Sequence, residues 1–510
     1  MLERYYKKIL DARVYDVAIE SPIDEANLLG RRYNNTILLK REDLQPVFSF
    51  KLRGAYNKMA QLSEEQLAKG VIAASAGNHA QGLALAAHKL GVKAIIVMPK
   101  TTPQIKVDAV RNRGAKVVLH GDTYDEASDH AQQLVVEKGL VYIHPYDDPE
   151  IIAGQGTIGM EILRQHKGPL DAIFVPVGGG GLLAGVAAYV KHIRPEVKVI
   201  GVEPEDAACL KAAMEKNRRV TLQQVGLFAD GVAVAQIGKE TFRVIRDTVD
   251  EVITATTDEM CAAIKDIFDD TRSIAEPAGA LALAGLKKYI EQNDVQGQTL
   301  LAIASGANTN FDRLRYISER TEIGEKREAI ISVTIPERPG SFRKFCRVLG
   351  KRNITEFNYR YGHQRDAQIF VGIQIAPDGN DREELVAGLE EKGYPVIDFT
   401  DNEMAKLHVR HMVGGHAPAE LQEEVLYRFE FPERPGALLN FLTKLGQQWN
   451  ISMFHYRNHG AAYGRVLVGL QASKSDRKLL KDFLAQLQYP YQEETDNPAY
   501  QLFLSGQTGA

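Results

Sequence analysis

The sequence predicts an α/β chain: a large domain of parallel sheets covered by helices on both faces, followed by two ferredoxin-like α+β modules. Three observations carry this. Up to about residue 310, short apolar runs alternate with longer helical patterns, as in strands joined by crossover helices. One alternation, Ala172–Val190, reads AIFVPVGGGGLLAGVAAYV and is broken by four consecutive glycines. Past residue 328 the pattern changes character and repeats itself.

Taken in order, the opening MLERYYKKILDARVYDVAIE is charged and amphipathic, without an apolar signal core. Strands are expected at Val71–Ser75, Ala94–Met98, Lys116–Leu119, Ala172–Val177, Val197–Val202 and Leu300–Ala304, with helices such as Ala80–Leu90 and Gln104–Arg113 between them. Ligands in such sheets bind at the carboxyl ends of strands. Ser75-Ala76-Gly77-Asn78-His79, the loop Gly178–Gly181 and Ser305-Gly306-Ala307-Asn308 hold that position, and they are expected to converge on one cleft. Arg313–Arg327 reads as a charged connector.

In the last third, Ile335-Pro336-Glu337-Arg338-Pro339-Gly340 returns as Phe431-Pro432-Glu433-Arg434-Pro435-Gly436. Phe357-Asn358-Tyr359-Arg360 returns as Phe454-His455-Tyr456-Arg457, and Thr400-Asp401-Asn402 as Thr495-Asp496-Asn497. Conserved order and spacing make this an internal duplication, so the domains expected are 1–320, 328–402 and 424–497. Each copy reads strand, helix, strand, strand, helix, strand, a split βαβ plan. In the first copy these are Ala329–Ile335, Ser341–Gly350, Ile354–Arg360, Gln368–Ile375, Glu383–Lys392 and Val396–Phe399. The modules are expected to stack sheet face against sheet face, and His408–Leu421, with Gly414-Gly415-His416, joins them.

Composition bounds the function. The chain has 510 residues, a net charge of −4 and 25% charged residues. With no basic block, nucleic acid is not the main partner. Three widely spaced cysteines, Cys209, Cys261 and Cys346, exclude a disulfide framework and fit a reducing, cytoplasmic setting.

The chemistry begins at the tetraglycine. A charge-free stretch of this length suggests a membrane helix on hydropathy alone, but Pro176 and four glycines would break one. Strand, glycine loop, helix is instead how an α/β fold seats an anion: backbone N–H groups close on a phosphate at a helix N-terminus. Leu-Leu-Ala-Gly follows where a P-loop needs Gly-Lys-Ser/Thr, and the dinucleotide fingerprint is met only with Ala184 as third small residue. A purely structural glycine turn stays open on this segment alone. The second singular segment is Phe48-Ser49-Phe50-Lys51-Leu52-Arg53-Gly54. A lone lysine is ordinarily a solvated surface residue. Desolvated by Phe48 and Phe50, the Lys51 amine would lose its proton more readily, and a neutral amine forms Schiff bases.

Ser49-Phe50-Lys51-x-Arg53-Gly54, Ser75-Ala76-Gly77-Asn78-His79, Gly178–Leu182 and Ser305-Gly306-Ala307-Asn308, in that order, resemble the pyridoxal-phosphate enzymes of fold type II, the tryptophan-synthase-β type. Within that group the paired C-terminal modules are similar to the ACT-like regulatory domain of the biosynthetic threonine dehydratases. The resemblance covers nearly the whole chain. It implies that Lys51 carries pyridoxal 5′-phosphate as a Schiff base and serves as the base at Cα. Gly178, Gly179, Gly180, Gly181 and Leu182 would hold the phosphate, Asn78 the 3′ oxygen, and Ser305 would face the pyridine nitrogen. Ser75, Ala76 and His79 would grip the substrate carboxylate, with Gly231 and Glu276 lining the cleft. For His79 the alternative is a loop histidine that only hydrogen-bonds backbone. The implied reaction is β-elimination of L-threonine to 2-oxobutanoate and ammonia, L-serine being possible, with the cofactor phosphate as acid for the leaving hydroxyl. Isoleucine as inhibitor and valine as its opponent would bind between helix Ser341–Gly350 and strand Ile354–Arg360 and at the equivalent place in the second copy. A tetramer is implied too. Serine racemases hold a divalent cation through a Glu-Pro segment and an acidic residue six positions after the Glu; here Glu203-Pro204 is followed by Cys209, so no metal site is expected, and a monovalent ion stays open. Rival readings are a sibling enzyme (serine dehydratase or racemase, threonine synthase, cysteine synthase) and a non-catalytic amino-acid sensor, which would be expected to have lost Lys51 or the glycine loop.

Overall fold

The computed structural model describes residues 1–510 except 312, 339, 351, 361–365, 377–379, 403–404, 407–408, 412–420, 422, 433–436, 446–448, 458–462, 488, 498–499, 501–503 and 505–510. The chain divides into two units, Met1–Gly324 and Glu325–Ala510.

The first unit is built on two sheets. Its strands are β1 (Ile23–Glu25), β2 (Thr36–Arg41), β3 (Val71–Ala74), β4 (Ala94–Met98), β5 (Lys116–Leu119), β6 (Val141–Tyr142), β7 (Ala172–Pro176), β8 (Lys198–Pro204), β9 (Glu251–Ala255) and β10 (Thr299–Ala304). The larger sheet runs β1-β2-β10-β7-β8-β9 and the smaller β5-β4-β3-β6. Every pairing is parallel except β1 with β2. Helices cover both faces, so central strands such as β3 and β7 are buried along their whole length, as continuous apolar runs require. Two helices, Pro149–Gln165 and Gly181–Ile193, cross where Gly156 and Gly185 let their backbones touch. A Cβ on Gly185 would stand 2.4 Å from the Ile152 carbonyl oxygen.

The sequence pattern passes over β2 and β9. Strand β2, TILLKR, ends in Lys40 and Arg41, charges that mask it as an interior strand; both are buried and ion-paired. Arg313–Gly324 is not a connector. It forms a helix on Thr257–Thr271 that buries Ile317, Thr321 and Ile323, and Arg320 pairs with Asp258. Arg313 and Arg320 pair with Asp230 and Asp258 outside the helix, which a one-dimensional reading does not register.

In the second unit the strands are β11 (Glu328–Pro336), β12 (Ile354–Arg360), β13 (Asp366–Gln374), β14 (Val396–Asp398), β15 (Glu424–Pro432), β16 (Asn450–Arg457), β17 (Tyr463–Gln471) and β18 (Tyr491–Glu493). They form one eight-stranded sheet, β14-β11-β13-β12-β16-β17-β15-β18. Each half has the ferredoxin-like order. The expectation of face-to-face stacking is corrected: the copies join edge to edge through β12 and β16, antiparallel, with Asn358 opposite His455. Each module alone would leave that strand's N–H and C=O groups bare, and mutual pairing satisfies both. Both copies also carry a register shift at the same place, Ile354/Glu356 and Ile451/Met453. The helical face is a shared aromatic core in which Phe357 and Phe454 meet at 5.7 Å and Phe342 and Phe454 at 5.2 Å. Gly414-Gly415-His416, Pro339 and Pro435-Gly436 lie outside the described residues. Among the described residues no helix is long and apolar enough to cross a membrane.

Candidate active site

Lys51 opens the helix Lys51–Ala60. The chain reaches it through Phe48, a non-glycine residue with φ +55°, a conformation that costs an L-residue about 1–2 kcal/mol. The turn is clamped: Phe48 N–H donates to the Gln45 carbonyl (2.7 Å), and its own carbonyl accepts from Ala307 N–H (2.9 Å). Ser49 bridges to Gly306, so Lys51 is presented beside the end of β10. Its Nζ donates to the Pro145 carbonyl at 3.3 Å and lies 5.3 Å from the Phe50 ring. Burial pushes this amine down to about 8, the direction anticipated for a desolvated lysine, but of the two aromatics expected to cover it only Phe50 does so, Phe48 being 53% exposed.

Behind that helix, Arg53 is wholly buried between two carboxylates. It reaches Glu42 through Nε and Nη2, both at 2.8 Å, and Glu161 through Nη1 and Nη2; Lys40 pairs with the same Glu161 at 2.7 Å. Thr157 Oγ1 and the Ile19 carbonyl oxygen lie within hydrogen-bond reach of Nη1 and Nη2, each at 3.1 Å, and share those hydrogens with the carboxylates. Two cations facing two carboxylates make the cluster neutral.

The loops at the strand ends do meet. Asn308 donates to Asn78 Oδ1 at 2.7 Å, and Asn78 Nδ2 donates to Glu276 Oε1. Gly231 faces the same pair, 3.8 Å from each when a Cβ is built on it. Burial, with the charge of Asp230 adding, pushes the Glu276 carboxyl up to about 7. Ser305 is buried at the end of β10, its hydroxyl donating to the Ala278 carbonyl at 3.2 Å. His79 hydrogen-bonds the Ile143 carbonyl through Nε2 at 2.9 Å, and burial lowers it to about 3, so it stands as a neutral ring on backbone. Ser75 and Ala76 precede Asn78–Leu90, a helix whose first turn carries no side-chain cap.

The tetraglycine lies between β7 and the helix Gly181–Ile193. Gly180 has φ +89° and caps the helix without any side-chain bond. The first N–H groups of a helix have no intrahelical partner. This uncharged start, without a side-chain cap, fits a phosphate. A buried Ser49 hydroxyl without a partner adds unused hydrogen-bonding capacity next to Lys51. The residues present therefore fit pyridoxal phosphate.

Sequence reasoning missed the segment 143–148. Besides the Ile143 and Pro145 carbonyls, it brings the Tyr146 ring against Gly179, and His144 Nδ1 accepts the N–H groups of Tyr146 and Asp147. Asp148 caps the helix beginning at Pro149, the one feature legible as an Asp-Pro start signal. Among the described residues no cluster of three His, Cys, Asp or Glu side chains could hold a metal ion.

Residues 14–306 match the family of pyridoxal-phosphate-dependent enzymes, and residues 319–409 and 415–504 each match the C-terminal regulatory domain of threonine dehydratase. The chain belongs to the biosynthetic threonine dehydratases. It is 57% identical over 504 residues to the biosynthetic L-threonine dehydratase of Burkholderia multivorans, covering 98% of this chain and 99% of that one. The Escherichia coli counterpart is 54% identical over 505 residues, 98% and 97% being covered. Among solved structures, the processed form of threonine deaminase isoform 2 from Solanum lycopersicum is 52% identical with a TM-score of 0.62, covering 63% of this chain and 88% of that one. A serine racemase from Dictyostelium discoideum is 32% identical with a TM-score of 0.56, covering 60% of this chain and 99% of that one. The family is pyridoxal-phosphate-dependent, of fold type II; the match to it lies in the first unit, and the regulatory-domain matches follow it.

Proposed function

We propose that this chain deaminates L-threonine to 2-oxobutanoate and ammonia by β-elimination, accepting L-serine as a second hydroxy-amino acid, as the first step toward isoleucine. The observation that carries the reading is the Lys51 amine, dry enough to shed its proton near neutrality and set beside the Asn78–Glu276 pair. Pyridoxal phosphate, when bound, supplies the electron sink that makes the substrate Cα–H acidic. Lys51 would hold it covalently, and Gly178–Leu182 would hold its phosphate through backbone N–H groups. Asn78, oriented by Asn308, would meet the ring oxygen. Ser305 would meet the ring nitrogen with a neutral hydroxyl, which does not enforce a proton there and so favours prompt loss of a β-leaving group. Lys51 Nζ would serve as the base for the substrate Cα proton. Ser75, Ala76 and the bare N-terminus of Asn78–Leu90 would receive the substrate carboxylate, while His79 shapes that loop and Gly231 and Glu276 close the wall.

The purified holoprotein should be yellow, and borohydride should fix the label on Lys51. Threonine, serine and O-acetylserine assayed side by side, with and without isoleucine, separate this reading from its siblings. A colourless protein, or a Lys51→Ala variant with unaltered threonine turnover, contradicts it.

We further propose isoleucine as inhibitor and valine as its opponent, acting in a tetramer of this chain in the cytoplasm; three buried cysteines that form no disulfide fit a reducing compartment. The place we assign to the effector is lined by Glu337, Arg338, Phe342, Tyr359, Leu442 and Trp449, where the first copy's helix start meets the far end of the second copy's helix. Trp449 is the chain's single tryptophan. Isoleucine should therefore change its emission over the concentration range in which it inhibits; inhibition without an emission change removes this pocket from the proposal.

A further inference from the structure

The phosphate cradle poses a mechanical problem. Glycines on both sides of a peptide unit leave it free to flip, and a flipped unit would aim a carbonyl oxygen at the phosphate in place of an N–H. Something outside the loop has to hold the planes. The carbonyl of Gly179 accepts the hydroxyl of Thr241 at 2.8 Å and the N–H of Gly238 at 3.3 Å. Because the peptide is planar and trans, fixing that C=O fixes the N–H of Gly180 in the opposite direction. Thr241 is fully buried, so water cannot replace its hydroxyl. It stands in the short helix Lys239–Ile245, whose N–H groups of Lys239, Glu240 and Thr241 all end on the Asp147 carboxylate, at 2.8, 2.7 and 3.2 Å. Asp147 belongs to the segment whose Pro145 carbonyl accepts from Lys51. One continuous set of bonds thus links the amine that would take the cofactor aldehyde to the loop that would take its phosphate.

We propose that Thr241, held by Asp147, is a positioning residue for the cofactor phosphate: its hydroxyl locks the Gly179 carbonyl away from the anion so that the Gly180 N–H faces it. The inference rests on the reading that Gly178–Leu182 holds the phosphate. Thr241→Val keeps the shape and removes the donor, and Thr241→Ser keeps the donor.

The test measures binding of pyridoxal 5′-phosphate, and of pyridoxal lacking the phosphate, to full-length apoprotein by absorbance titration, with the apoprotein melting temperature recorded alongside. Wild type should bind the phosphate ester far more tightly than pyridoxal. In Thr241→Val the dissociation constant for the ester should rise about tenfold while that for pyridoxal changes less than twofold, and Thr241→Ser should stay within about threefold of wild type for both. Equal weakening toward both ligands would make Thr241 a structural residue only and overturn the proposal, as would a Thr241→Val protein with unaltered affinity for the ester. If wild type failed to distinguish ester from pyridoxal, the cradle reading itself would fall, a result separable from the other two. A Thr241→Val chain that does not fold, beside a Thr241→Ser chain with wild-type binding, also counts against a role confined to the phosphate.

Discussion

Replacing Arg53 by Met gives the sharpest test of how the lysine-bearing helix is held. The side chain is fully enclosed and makes charge-assisted bonds to Glu42 and Glu161. Its removal leaves two buried carboxylates facing Lys40 alone. Breaking a buried ion pair from one side costs about 3–5 kcal/mol, because the partner charge stays desolvated. With a denaturant slope of about 3 kcal/mol per molar urea, the catalytic-unit midpoint should fall by roughly 1 M or more. Far-UV ellipticity follows the transition, and Trp449 emission, which reports only the regulatory unit, supplies the reference. The pH dependence has a definite sign. Burial alone would raise the Glu161 carboxyl, but the charge of Arg53, then of Lys40, outweighs it and holds it below the usual range. In wild type that contribution is present above the unfolded carboxylate value of about 4.3 and is lost as pH falls through the lower folded value. Without Arg53 the Glu161 carboxyl should rise and accept a proton on mild acidification, so the penalty should be largest at pH 7 and narrow toward pH 4. Adding Glu161→Gln to Arg53→Met should recover part of the loss. A penalty under about 1 kcal/mol, or one that widens as pH falls, would refute the reasoning.

Two further outcomes follow from other parts of the structure. Because burial lowers the Lys51 amine to about 8, the rate at which full-length apoprotein takes up pyridoxal phosphate should climb with pH and level off above about 8; a rate still climbing past pH 9.5 would show an ordinary, solvated lysine. Gly185→Ala would drive a methyl into the Ile152 carbonyl and the Gly156 backbone, at 2.4 and 2.6 Å. Overpacking of this kind costs about 1–3 kcal/mol, so catalytic-unit melting should drop by several degrees, whereas a variant melting with wild type would show that the two helices separate freely.

Most of the architecture was legible because it rests on periodicity. β4 and β5 match their expected limits, and β12 does so in the first module. Strands hidden by charge were not: β2 carries Lys40, whose partner Glu161 lies far along the chain, and Arg41, which is buried on Asp43 and Asp24. Arg313–Gly324 misled for the same reason. In the regulatory half the duplication announced two modules, yet their edge-to-edge union depends on which strand edge is left bare, and a linear pattern does not record that.

At the site, glycines before a helix and an aromatic-flanked lysine have local physical meanings and drew attention to the tetraglycine and Lys51, whereas Asn78 and Ser305 were named only through the resemblance to the pyridoxal-phosphate enzymes. Their supports are of another kind. Thr241 lies 62 positions from the carbonyl it holds, and Asp147 lies 94 from Thr241. Arg53 draws on carboxylates 11 and 108 positions away. Local conformation, secondary-structure period and candidate chemistry are properties of neighbouring residues, and the amino-acid order determined them. Which distant side chain desolvates an amine, neutralises a buried charge or stops a peptide from turning over is decided only when packing brings remote segments within a few ångströms, where burial makes their hydrogen bonds obligatory.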